Sequence, residues 1–216
     1  MSLRKIAFVK GEYYHVYNRG NSKQRIFRDK NDYDRFIGLL FACNSSESFK
    51  IDSLNKKQSL FDSQRGKVIV HIGAYCLMPN HFHLLVTDTG QGNISIFMKK
   101  LLTAYVMYFN KKYQRSGALF EGKFKAEHAS TDNHLKYLFS YIHLNPVKLI
   151  EPKWKEVGIS DISKALRYLK EYPYSSYLDY LEDNRSNKIM NKESFPNYFT
   201  KKGSFKKEIF EWITFR

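Results

Sequence analysis

The chain has 216 residues, enough for one domain of ordinary size with an appendage. Lys and Arg number 36 against 21 Asp and Glu, a formal charge of +15, so the folded surface should sit at a positive potential and a polyanionic partner is favoured. Only two cysteines occur, Cys43 and Cys76, in no metal-like or redox-like spacing, which argues against a disulfide framework and a thiolate zinc site. No apolar run approaches the roughly 20 residues that span a bilayer, and the first residues lack a signal-peptide core. We therefore expect a soluble, cytoplasmic protein with no membrane partner.

Residues 12 to 18, EYYHVYN, alternate and are rich in β-formers, and Arg19-Gly20-Asn21 breaks the pattern, so a first strand runs into a basic loop carrying Arg19, Lys23, Arg25 and Arg28. From Asp32 the apolar positions Phe36, Leu39 and Leu40 predict a helix to about Cys43. Residues 44 to 66 are polar and read as an insertion or mobile loop. Two runs, KVIVHIGAYCLM and HFHLLVTD, flank Pro79-Asn80 and predict adjacent strands joined by a tight turn. Apolar residues from Ile94 to Phe109 fall at i, i+3, i+4, i+7 spacing, the mark of a long amphipathic helix.

After Gly117 the stretch ALFEGKFKAEHAS offers a last strand, with Arg115, Lys123 and Lys125 as a second basic cluster. Thr131 or Asp132 can cap the next helix, which should end near Asn145 because Pro146 disfavours helical geometry in the residue before it. Further helices are expected over 159 to 171 and within PYSSYLDYLED, and a final amphipathic piece carries Phe205, Ile209, Phe210, Trp212 and Ile213. Residues 184 to 202 read as loose. The order of elements predicts an α+β fold, a ferredoxin-like sandwich of antiparallel sheet and helices with an added helix. We divide the chain into a catalytic domain over 1 to 182 and a C-terminal extension over 183 to 216.

His81 and His83 leave a strand on the same face, about 7 Å apart along it, so two imidazoles can converge on one cation. Taken alone, a His-x-His pair is equally compatible with a structural role. Tyr141 and Asn145 are four apart and share a helical face, yet a tyrosine on an amphipathic helix is usually a packed residue. His143 should face elsewhere on that helix, His128 and His134 read as surface or packing groups, and His15 and His71 give no signal. Aromatic residues beside cations, as in YFNKKYQR and LFEGKFK, would suit stacked bases and held phosphates as well as a core.

Five ordered blocks carry a resemblance: YHVYNRGNSKQRIF, AYCLMPNHFHLLV, YQRSGALFEGKFKA, YIHLNPVK and YPYSSYLDY. Together they resemble the REP-associated tyrosine transposases, relatives of the single-strand insertion-sequence transposases and of the HUH nucleases. The resemblance implies a metal-dependent nuclease that cuts and rejoins single-stranded or hairpin DNA. His81, His83 and Asn145 would be ligands to Mg or Mn, and Tyr141 the nucleophile that forms a covalent 5′-phosphotyrosine. It implies phosphate contacts from the two basic clusters, and it admits a homodimer, since a full strand exchange needs two sites or two rounds. Rival readings are a domesticated hairpin-DNA binder that does not cut, a phosphodiesterase that uses water, and a basic RNA-binding module.

Overall fold

The computed structural model describes residues 7–47, 59–181, 188–200 and 202–214. Its centre is a four-stranded sheet built from β1 (Tyr13–Arg19), β2 (Val70–Met78), β3 (His81–Asp88) and β4 (Lys125–His128). Every neighbouring pair is antiparallel and the order is β2-β3-β1-β4, the α+β arrangement expected from the sequence. Two helices, α1 (Lys30–Ala42) and α2 (Asn93–Lys112), join the strands as crossovers.

Strand alternation gives the sheet two apolar faces. Tyr14, Val16, Ile72, Leu84 and Val86 point to one side, where they pack with Phe36, Leu39, Phe97, Leu101 and Tyr105 of α1 and α2. Ala74, Cys76, Met78 and Leu85 point to the other, against Leu138, Phe139 and Ile142 of α3 (Asp132–Leu144). Around α3 gather α4 (Trp154–Val157), α5 (Ile162–Glu171), α6 (Tyr177–Leu181), α7 (Asn197–Thr200) and α8 (Lys202–Thr214). Phe205, Ile209 and Ile213 of α8 are buried in this second core. Antiparallel strands with one face wet would need no such cover. Here the C-terminal helices dry the second face and hold α3 across it.

Three local expectations are corrected. Residues 184 to 202 are not loose where the structure describes them: Phe195 and Phe199 are buried in the second core. The apolar residues there are too widely spaced to register as a periodic element. The polar stretch from 44 to 66 is tethered at both ends, because the Asn44 amide bonds Val70 O, Val70 N and Ile69 N, and Leu60 is buried against the first core; residues 48 to 58 of that stretch lie outside the described residues. The last strand covers only Lys125–His128 of the expected stretch.

The loop after β1 is fixed in place by the β2–β3 turn. Gly20 N donates to Asn80 O at 2.8 Å, and Ile26 N and Phe27 N donate to Pro79 O at 2.9 and 3.1 Å. A Cβ at Gly20 would stand 2.2 Å from Gln24 O, so only glycine lets the loop fold back this closely. The far end of the loop is anchored by Asp32, fully buried, which accepts from Arg28 N at 2.8 Å, Lys112 Nζ at 2.7 Å, Tyr113 Oη at 2.8 Å and Tyr108 Oη at 3.1 Å. Substituting Asp32→Ala takes a buried acceptor from four donors, of which Lys112 Nζ and Tyr113 Oη are left with Asp29 alone. The expected cost is about 3 kcal/mol of unfolding free energy in urea titration, and a loss under about 0.5 kcal/mol, the range of ordinary surface substitutions, would show that the network is dispensable.

His143 sits wholly inside the second core. Its Nδ1 meets Phe139 O at 2.9 Å and its Nε2 meets Ser176 Oγ at 2.8 Å, a set that suits the neutral ring. Burial pushes its pKa down to about 3. A depressed histidine stabilises the fold fully above its unfolded value and loses that contribution as pH falls, because only the unfolded chain takes up the proton. Between pH 7 and pH 5 stability should drop by about 2 kcal/mol from this group. Urea midpoints at the two pH values test it, with His143→Gln expected to shrink the difference by that amount, the share of the other buried histidines remaining.

Candidate active site

The β2–β3 register sets the site. His83 pairs with Cys76 on one side and Tyr17 on the other, and Tyr17 pairs with Lys125, so these four cross the sheet in one row. The next row runs Ala74, Leu85, His15, Glu127, and His81 stands opposite Arg19. Side chains two apart share a face, so His81, His83, His15, Tyr17 and Arg19 all look toward α3. Phe82 between the histidines is buried in the opposite core.

The ring centroids of His81 and His83 lie 4.9 Å apart, the planes at 86°. His81 Nδ1 meets Asn80 Oδ1 at 2.6 Å, while Asn80 Nδ2 donates to Lys23 O. The amide oxygen therefore faces the ring, the proton sits on His81 Nδ1, and Nε2 keeps its lone pair. His83 Nδ1 meets His15 Nε2 at 2.8 Å, and His15 Nδ1 stands 3.7 Å from Glu127 Oε2, an ion-pair distance beyond hydrogen-bond length. His83 Nε2 is buried and has no hydrogen-bond partner among the described residues. Burial is the first cause holding all three imidazoles in the neutral form: His81 is lowered to about 4, His83 falls well below its usual value and His15 is lowered. Glu127, in contact with His15, is held below the usual carboxylate range.

Thr131 caps α3 by accepting from His134 N. The helix ends at Leu144 as expected, but Asn145 stays helical at φ −54°, ψ −38° and leads into a 3₁₀ turn over Asn145–Leu149 with Pro146 near its start. The bias before proline is overridden because Pro146 takes a first-turn position, where its missing N–H costs nothing. Tyr141 and Asn145 thus remain one regular turn apart. The Tyr141 ring lies 5.4 Å from His83 and 6.1 Å from His15, edge-on to both. Asn145 is 1% exposed, and neither amide atom has a hydrogen-bond partner of good geometry among the described residues, although the side chain is close enough to His81 to favour its charged form. A buried amide without a well-formed hydrogen bond is costly unless something completes it. Among the described residues no group of three His, Cys, Asp or Glu side chains gathers around one point, so any metal here would rest on two imidazoles and an amide.

The sequence-derived cations divide into two sets. Arg19 and Lys125 belong to the sheet face of the histidines, Arg19 in an ion pair with Glu121 at 2.8 Å. Lys23, Arg25 and Lys123 are exposed. Arg28 and Arg115 gather over the Phe109 ring at 5.2 and 5.6 Å, and Phe109 belongs to the opposite core. Sequence reading missed His15, Lys148 and Lys155. The charges of Lys148 and Lys155 are felt at His83, and Lys155 Nζ sits 3.7 Å above the Tyr141 ring. The two-residue period of β1 places His15 and Tyr17 on one face, but the register that sets them beside His83 is not written in it. His128 and His134 pair with Glu12 and Glu127.

The sheet thus presents paired imidazoles to a helix-borne tyrosine. Residues 8–145 match the family model of IS200-like transposases, and the chain belongs to that family. Among solved structures it resembles a REP-associated tyrosine transposase bound to a REP hairpin, with TM-score 0.50 and 12% identity over 91% of this chain and 98% of that one. At that identity the likeness shows a shared fold. A tRNA(His) guanylyltransferase from Saccharomyces cerevisiae superposes at TM-score 0.37 and 11% identity over 91% of this chain and 86% of the other. No curated protein matches the chain. Among the described residues no helix is long and apolar enough to cross a membrane.

Proposed function

We propose that the protein is a metal-dependent endonuclease and strand transferase for single-stranded, hairpin-bearing DNA, with Tyr141 as nucleophile and His81, His83 and Asn145 as ligands to Mg or Mn. The observation that carries it is the lone Nε2 of His83: buried, without a partner among the described residues, its other nitrogen committed to His15, and next to the Tyr141 ring. Two neutral imidazoles and an amide oxygen suit a hard divalent ion that keeps open positions, better than a closed tetrahedral zinc site. Such an ion would polarise the scissile phosphate and offset the charge that gathers on it.

The protein's own groups supply the rest. Tyr141 Oη attacks phosphorus, the bond to the 3′ oxygen breaks, and the chain holds a 5′-phosphotyrosine while a 3′-hydroxyl leaves. The proton lost by the phenol is balanced by the one the leaving oxygen gains. The ester keeps the energy of the broken linkage, so a DNA 3′-hydroxyl can reverse the step and join strands without a nucleotide cofactor. Arg19, Lys125, Lys148 and Lys155 bring positive charge to the face where the phosphates would lie, and Lys23, Arg25 and Lys123 extend it, with Arg28 and Arg115 as a more distant patch. We assign the chemistry to residues 1 to 182 and to 183 to 216 the task of bracing α3. The hairpin preference rests on the family and on the hairpin held by the structural neighbour.

The test is incubation of the full chain with labelled single-stranded hairpin DNA and Mn or Mg, followed by a denaturing gel. A protein–DNA adduct is expected, and EDTA should remove it while leaving DNA binding that weakens steeply with salt. Cutting that persists in EDTA would dismiss the ligand assignment.

A further inference from the structure

A cavity of about 500 Å³ opens between α3, α4 and α8, lined among others by Tyr137, Tyr141, Trp154, Lys155, Val157 and Trp212. Its size falls in the range of ligand pockets, roughly 300 to 1,000 Å³. We infer that it holds one unpaired nucleobase of the DNA strand, beside the phosphate that Tyr141 attacks. The inference rests on the nuclease reading above and adds a site to it.

The lining is aromatic beyond what packing requires. The chain has two tryptophans, and both are here. Tyr137 lies nearly parallel to Tyr141 at 5.9 Å and 5.2 Å from Trp212, so three rings form a continuous wall. Rings offer stacking planes that every base can use. Lys155 Nζ, 3.7 Å from the Tyr141 ring and 3.4 Å from Tyr137 Oη, puts a cation at the same place, as a base arriving with its phosphate requires. Val157 is 76% exposed, an apolar side chain left open at the cavity's edge. Tyr141 belongs to both cavity and histidine site, so a strand with one phosphate at the histidines has its neighbouring base within reach of this wall.

Because both tryptophans line the cavity, their emission reports on it. The full-length Tyr141→Phe protein, which keeps the ring, is titrated with a single-stranded oligonucleotide and with copies made abasic at one position at a time. The intact strand should quench tryptophan emission. One abasic position should abolish the quenching and weaken binding about tenfold, and the same position should cost nothing further in Trp212→Ala. Should that variant fail to fold, Trp212→Phe keeps the packing and is expected to bind the intact strand more weakly. Tight binding without a change in emission, an equal cost at every abasic position, or an emission change that follows protein concentration without DNA would each overturn the site. Adduct formation by the wild-type chain on the same strand is scored separately. An adduct without position-specific quenching discards the pocket alone, and quenching without an adduct discards the nuclease alone.

Discussion

Replacing Tyr141 with Phe is expected to abolish the covalent adduct and to lower strand cleavage by roughly 10³-fold or more, the scale on which enzymes lose activity with their nucleophile. The substitution removes one oxygen and keeps the ring that stands 5.9 Å from Tyr137 and 5.4 Å from His83, so the fold and the binding of DNA should persist. That contrast separates the proposed chemistry from its nearest rival. If water were the nucleophile and the phenol only part of the wall, the variant would cut at nearly the wild-type rate and leave free 5′-phosphates. Single-turnover cleavage on a denaturing gel reads both quantities at once, and unchanged cleavage by the variant would sink the role given to Tyr141.

How much of this was legible beforehand depended on the range of the interactions involved. The strand carrying His81 and His83, the Thr131 cap and the helical spacing of Tyr141 and Asn145 are local features, written in periods of two and of nearly four, and they lie where expected. Five motif blocks in order supplied the family, which periodicity alone could not. What stayed hidden needed register or tertiary contact. His15 gave no sign until β1 paired with β3, and Lys155 lies on a four-residue helix too short to show a pattern, touching Tyr141 only because α4 packs beside α3. Phe195 and Phe199 are buried by helices far along the chain, which local polarity could not anticipate.

The second large effect concerns His83 and the group behind it. His83→Ala should remove measurable Mn binding and, with it, cutting, since it deletes the imidazole nitrogen that nothing else in the site engages. His15 acts at one remove. For His83 to offer Nε2 it must carry its proton on Nδ1, and that proton needs an acceptor, which His15 Nε2 supplies at 2.8 Å with Glu127 behind it. His15→Ala should therefore weaken Mn affinity about 10- to 100-fold, the usual cost of losing a partner that orients a ligand. His15→Gln, whose amide oxygen can take the place of that acceptor, should recover most of it. Calorimetric titration of the full chain with Mn in the absence of DNA reads the effect without relying on activity. Equal affinities for the Ala and Gln variants would mean that His15 only fills space, whereas rescue by Gln would tie the orientation of His83 to a hydrogen bond that neither histidine reveals until the strands are paired.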